Sequence, residues 1–260
     1  MLAGCTLNDF LDGPAAARPV VMSDLDGCLI SGGTVLPGAN RMIERLGARL
    51  WIVSNNSSDT GTTLAARLAA MGLGVPPARL VLAGERTLGR LARQHPGARV
   101  ALFAAPPLVA LAEGLGLRPD RTRPEVALLA RDPGFGFDDL AALMAMAHRG
   151  VPVWLSNPDP CHPGPDGTPR PETGALWAAL TAAVPLTPAG GIGKPAPDLL
   201  VEVLEAAGLP APAAVFLGDS EATDGAAARA AGVEFVLIRR PGAAPAAPRE
   251  ARADREAARC

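Results

Sequence analysis

The sequence predicts an α/β protein: a Rossmann-like core on a parallel sheet, with a second α/β unit inserted into it. Three observations predict this. Short apolar runs alternate with amphipathic segments over residues 20–71, the rhythm of a parallel sheet covered by helices. A similar alternation with different punctuation fills residues 78–187, after which Ala189-Gly-Gly-Ile-Gly-Lys194-Pro returns the chain to the first unit. The first apolar run also ends in two carboxylates and a glycine, Asp24-Leu-Asp26-Gly27, at the edge where open parallel sheets bind ligands.

The elements follow in order. Residues 6–13 form a short helical preface with a glycine stop, and Val20 to Ser23 is a buried strand. Pro37 to Leu46 is amphipathic with proline near its start, which suits a helix. Leu50 to Ser54 is a second buried strand, and Thr62 to Met71 a helix with Leu64, Leu68 and Met71 on one face. In the inserted unit, strands are expected at Val100–Ala104, Val126–Ala130 and Val151–Ser156. Helices are expected at Leu108–Gly114, Leu140–Arg149 and about Thr173–Ala183, the last after a proline-rich loop from Pro160 to Pro171. Helix Ala196–Ala207, strand Ala213–Leu217, helix Thr223–Ala231 and strand Phe235–Ile238 complete the first unit. The predicted division is 1–77 and 188–260 for the core and 78–187 for the insert, with 241–260 a flexible tail or at best a terminal surface helix.

Composition narrows the function classes. At 260 residues and 48% hydrophobic, the chain can bury one large core or two modest ones. A formal net charge of -2 provides no basic field, so no nucleic acid polymer is expected. No apolar run reaches the roughly 18 residues of a membrane span. Leu2-Ala-Gly-Cys5 looks like a lipoprotein cleavage box, but only Met1 precedes it, so no signal peptide is read. Cys5, Cys28, Cys161 and Cys260 are scattered without a CxxC pair. That argues against a zinc site and a disulfide framework and fits a reducing cytoplasm. Lys194 is the only lysine; every other basic residue is arginine. A compact ammonium and a planar guanidinium are not interchangeable in a tight site.

Four loops carry the candidate chemistry: Asp24/Asp26, Ser54/Asn55, Lys194, and Asp219 with Asp224. On a parallel sheet such loops face one crevice. Their pooled carboxylates suit Mg²⁺, which takes oxygen ligands and substrate phosphate oxygens. The serine hydroxyl, backbone amides and lysine suit the phosphate itself. A carboxylate there can attack phosphorus, and a second one two residues on can protonate the leaving oxygen and later deprotonate water. Gly193-Lys194 is not a P-loop, because prolines occupy 188 and 195 where that motif needs glycine and Ser/Thr.

These residues resemble the haloacid dehalogenase superfamily of aspartate-dependent phosphatases. Asp24-Leu-Asp26-Gly27 resembles its first motif, Ser54-Asn55-Asn56 its second, Lys194-Pro195 its third and Gly218-Asp219-Ser220 through Asp224-Gly225 its fourth, in order across residues 20–232. The insert, with Ser156-Asn157-Pro158-Asp159, resembles the α/β cap of the NagD-like and pyridoxal-phosphatase branch. The resemblance implies Asp24 as nucleophile, Asp26 as acid/base, and Mg²⁺ held by Asp24, the Asp26 backbone carbonyl and Asp219. It implies that Asp224 acts through waters or steers Lys194, and that Ser54, the amides near Asn55 and Lys194 hold the phosphoryl group. It also implies a cap that closes over the core and contributes substrate contacts (Asn157 and Asp159 are the candidates), a homodimer, and small phosphorylated metabolites as substrates. Ser31-Gly32-Gly33 and the proline-rich Pro160–Pro171 loop depart from the family pattern where substrate contacts are expected. A dehalogenase would not need Asp26, a mutase would need a second phosphate site, and a silent binding module would not need every catalytic position filled. His95, His148 and His162 lie outside the motifs and read as surface or satisfied histidines.

Overall fold

The computed structural model describes residues 4–164 and 168–239. The expected tail at 241–260 lies outside them. Its centre is a five-stranded, all-parallel sheet in the order Glu234–Leu237, Ala214–Gly218, Val20–Ser23, Leu50–Ser54, Leu80–Leu82. Every residue of Val20–Ser23 and Leu50–Ser54 is buried, as expected for strands covered on both faces. Val21, Leu50 and Ile52 face one layer with Leu11, Met42, Leu64 and Leu68. Val20, Met22, Phe216 and Val53 face the other, with Leu200 and Val203 of helix Asp198–Ala207.

The chain leaves Val20–Ser23 toward Leu50–Ser54 on one side, and Ala214–Gly218 pairs on the other. The strand order therefore reverses between Val20–Ser23 and Ala214–Gly218. A crevice opens at the carboxyl ends of strands flanking such a reversal. Asp24 and Asp219 are the first residues beyond those two strands, and Asp24 N donates to Leu217 O at 2.8 Å.

The inserted unit holds a second parallel sheet, Arg118–Pro119, Arg99–Phe103, Val126–Leu129, Val153–Leu155. Leu88, Leu91 and Leu108 cover one face, and Leu143, Met146 and Leu180 the other. Two boundaries differ from the expectation. Leu80–Leu82 pairs with Leu50–Ser54, so the break at 77/78 falls one strand early. The crossing lies in helix Ala83–Gln94, whose Ala83 packs in the first core and whose Leu88 packs in the second. On return, Ala189 and Gly190 still bond the Val153–Leu155 edge, and Ile192 is the first residue back in the first core. Part of the expected Pro160–Pro171 loop is a short antiparallel hairpin, Cys161–Pro163 with Pro169–Pro171.

Core substitution should separate from surface substitution. Phe216→Ala, fully buried, should cost about 3–5 kcal/mol. Phe137→Ala, at 84% exposure, should stay within about 0.5 kcal/mol. Urea-unfolding midpoints of the two variants test this.

Candidate active site

Lys194 lies at the floor of the crevice, 3% exposed. Its Nζ donates to Asp24 Oδ1 at 2.7 Å, Asp224 Oδ1 at 2.6 Å and Val53 O at 3.2 Å, which uses all three ammonium hydrogens. Burial alone would lower the pKa of this ammonium; the Asp224 and Asp24 charges more than reverse that and hold it above its ordinary value. The backbone of Lys194 is clamped by one side chain: Asn55 Oδ1 accepts from Lys194 N at 2.7 Å, and Asn55 Nδ2 donates to Lys194 O at 2.9 Å.

Asp24 is buried, and burial raises its pKa well above the carboxylate range, with Lys194 opposing and Asp224 and Asp219 reinforcing the rise. Asp26, half-buried on the following turn, is also raised by burial, against the nearby charges of His162, Arg67 and Lys194. Gly27 makes the turn possible. Its φ is +90°, and a Cβ there would stand 1.8 Å from Asp219 Oδ2.

Asp224 occupies a wide turn within the fourth motif, where Asp224 N and Gly225 N both donate to Ser220 O, at 2.9 and 3.1 Å. Its Oδ2 accepts from Ser220 N at 3.1 Å while Oδ1 holds Lys194. Oxygens of Asp24, Asp219 and Asp224 lie within 4.8 Å of one another. An all-oxygen set with one lysine against three carboxylates has the donor chemistry and the negative charge that Mg²⁺ requires.

Ser54 is buried, and its Oγ accepts from Asn56 N at 3.1 Å. It does not cap the next helix; Thr60 does. Ser54, Asn55, Asp24, Asp26, Lys194, Asp219 and Asp224 all line one cavity of about 390 Å³. Asp159 lines it too, accepting from Asn55 Nδ2 at 2.9 Å. Asn157 has a different place from the one expected. At 1% exposure it donates to Asn55 O and Ser57 Oγ, both at 2.9 Å, and so braces the loop after Leu50–Ser54 instead of lining the cavity.

The cavity's outer end holds residues that no motif contains: Arg67, Arg131, His162 and Glu172. His162, expected to be a surface or satisfied histidine, comes in on the Cys161–Pro163 strand and lines the cavity, with Nδ1 2.7 Å from Glu172 Oε1. Arg131 Nε lies 3.2 Å from the same oxygen. Burial still raises Glu172 from 4.5 to about 7, with Arg131 opposing. The only sequence signal for this cluster was the departure of the proline-rich loop from the family pattern.

Residues 21–118 match the family model of haloacid dehalogenase-like hydrolases, and residues 191–258 a second model described as HAD-hydrolase-like. The chain is 29% identical to dihydroxyacetone phosphatase of Corynebacterium glutamicum, over 84% of this chain and 80% of that one. It is 33% identical to human chronophin, over 86% and 80%. The chain belongs to the haloacid dehalogenase-like hydrolases. Within that family it is a NagD-like phosphatase: a structure described as a putative nagD protein superposes with a TM-score of 0.80 at 27% identity, covering 88% of this chain and 91% of that one. It is also similar, at 31% identity over 86% of its own length, to D-glycerol 3-phosphate phosphatase of Mycobacterium tuberculosis, of which it spans 64%. A structure of glycerol phosphate phosphatase from that organism in complex with magnesium has a TM-score of 0.77 at 30% identity, over 85% and 67% of the two chains.

Two measurements test the geometry. Gly27→Ala should abolish turnover by displacing Asp219, and Lys194→Arg should lower it at least about a hundredfold, since a guanidinium does not fit the ammonium's three acceptors. Glu172 holds its proton more tightly when folded, so its contribution is present below pH 4.5 and lost as pH rises to about 7. Glu172→Gln should flatten that fall in melting temperature.

Proposed function

We propose that this protein hydrolyses phosphomonoesters of small metabolites through an aspartyl-phosphate intermediate. One observation carries the reading: Asp24 stands at the strand-order reversal, bound to a buried lysine, with Asp219 and Asp224 converging on it.

The phosphoryl group would lie between Asp24, Ser54, the amides near Asn55 and the Lys194 charge. Asp24 attacks phosphorus and the P–O bond to the leaving alcohol breaks. Asp26 delivers its proton to the departing oxygen, a role that suits a carboxyl whose pKa burial raises. Asp26 then takes a proton from water, whose oxygen attacks phosphorus and releases inorganic phosphate and Asp24. Asp24, Asp219 and the Asp26 carbonyl would hold Mg²⁺, with Asp224 fixing Lys194; the ion supplies charge neutralisation for the phosphoryl oxygens.

A cavity of about 390 Å³ shared by phosphoryl and leaving group suits a small substrate. The relatives named for dihydroxyacetone and glycerol phosphates support a three-carbon polyol phosphate. The inserted unit acts as the cap, through Asp159 and the residues around it. Cys5, Cys28 and Cys161 are free thiols, which supports a cytoplasmic setting. Among the described residues no helix is long and apolar enough to cross a membrane. A homodimer completes the reading and would show as a doubled mass in light scattering.

Hydrolysis of aryl and alkyl phosphates, with Mg²⁺ and with chelator, tests the proposal. Asp24→Asn should remove turnover in both series. Asp26→Asn should cost about 10²–10⁴-fold on alkyl phosphates and much less on p-nitrophenyl phosphate, whose leaving group needs no proton. An equal loss on both would remove Asp26 from the acid role.

A further inference from the structure

The outer end of the cavity carries two guanidiniums that the proposed hydrolysis does not use. Arg67 comes from helix Gly61–Ala70 of the first unit, and Arg131 follows strand Val126–Leu129 of the insert. Adjacent residues anchor them. Arg131 Nη1 donates to Ser58 Oγ at 3.1 Å, and Arg67 Nη1 lies 2.8 Å from Asp59 Oδ2. Both arginines line the cavity, and the charges of both reach Asp26 and His162. They therefore converge beside the proposed acid/base carboxyl, where the leaving alcohol would lie.

Neither fork is used up. A guanidinium offers five N–H donors. Among the described residues, the Arg131 guanidinium donates one hydrogen bond, to Ser58, and meets Glu172 Oε1 as a charge contact at 3.2 Å. Arg67 has the ion pair with Asp59, a carboxylate that also accepts from Asn56 Nδ2 at 2.9 Å and Thr63 Oγ1 at 3.2 Å. The Arg67 and Arg131 side chains are 49% and 29% exposed, so a ligand in the cavity can reach the donors left over. The neighbouring acid does not cancel Arg131. Burial raises Glu172 to about 7, so near neutrality it is partly protonated and leaves the Arg131 charge to the cavity. Burial and the Arg131 charge lower the pKa of His162, which leaves the two arginines as the fixed cations lining this end.

We infer that Arg67 and Arg131 form the leaving-group subsite and select a phosphorylated hydroxy acid, a small phosphomonoester whose alcohol carries a carboxylate. The inference rests on the phosphatase reading above. It keeps the three-carbon skeleton proposed there and sets what the far carbon carries, an acid in place of a hydroxymethyl. A carboxylate matches the planar guanidinium fork, and charge-assisted bonds of this kind are the stronger ones. A second phosphate fits less well, because its further charge would face Asp26 and Asp159 across the same cavity. The two forks belong to different units, so an acid held between them touches core and insert together.

The experiment compares 3-phosphoglycerate with glycerol 3-phosphate, which differ at the far carbon by a carboxylate against a hydroxymethyl. Wild type should favour 3-phosphoglycerate at least about tenfold in kcat/KM, chiefly through KM. Arg131→Met and Arg67→Met should each lower that ratio about tenfold, and the double variant should lower it further. Arg131→Lys, which keeps the charge but not the fork, should fall between wild type and Arg131→Met. Melting temperatures show that each variant is folded, and the half-exposed Arg67 serves if Arg131→Met is not. Three results overturn the inference while the phosphatase reading stands: a wild type that hydrolyses p-nitrophenyl phosphate without favouring 3-phosphoglycerate, a ratio unchanged in the variants, or a parallel loss on both substrates. A wild type that hydrolyses no phosphomonoester overturns that reading and the inference with it.

Discussion

The site depends on one buried ammonium. Lys194 connects three segments far apart in sequence: the turn after Val20–Ser23 through Asp24, the turn after Ala214–Gly218 through Asp224, and the carbonyl of Val53. A charge this deep is tolerated only with its partners in place, and loss of any of them leaves an uncompensated buried group. The interaction therefore ties catalysis to the fold. The inserted unit must return at Gly193 for the lysine to arrive, and a Cβ at Gly193 would stand 2.7 Å from Ser156 O.

The same ammonium does not balance its surroundings. Asp24, Asp219 and Asp224 converge within 4.8 Å, so one lysine faces three carboxylates. The shortfall, when all are ionised, equals the charge of one divalent cation. Without such an ion the excess raises the Asp24 pKa, along with burial, and would repel an incoming phosphate dianion. Charge balance thus supports the proposed metal dependence by a route separate from family likeness. It also accounts for Gly27, because only a residue without a side chain lets the Asp26 turn and Asp219 approach so closely.

The sequence revealed the parts of the structure governed by local pattern. Val20–Ser23 and Leu50–Ser54 were legible as uninterrupted apolar runs ending in polar residues, and the structure keeps those bounds. Helix Ala83–Gln94 was not legible: its N-cap makes no side-chain bond, and its apolar residues are few among arginines and glycines. The Leu80–Leu82 strand before it is only three residues long, which hid the unit boundary. Asp24, Asp26, Lys194 and Asp219 follow strand ends or a return loop, positions that topology brings together. The outer cluster arises differently. Arg131, His162 and Glu172 come from three elements of the insert and meet only through the packing of a proline-bearing hairpin. No spacing rule predicts such a meeting. Asn157 shows the reverse error, since a polar residue beside a suspected cleft can be spent wholly on backbone bracing.

That bracing links the two ends of the cavity. The loop from Ser54 to Ser58 presents the hydroxyl and amides proposed for the phosphate, yet its other bonds run to the insert. Asn55 reaches Asp159, Ser57 meets Thr173 and Asn157, and Ser58 meets Arg131. Thr173 directly follows Glu172 in the chain. A displacement of the insert side of the cavity therefore reaches the Ser54–Ser58 loop through two or three hydrogen bonds. Misplacement of a reacting group by about 1 Å can cost a hundredfold in rate. In the proposed reaction, a leaving group that fits poorly against the insert would also displace the loop that holds the phosphoryl group, so selectivity would follow from geometry as well as affinity.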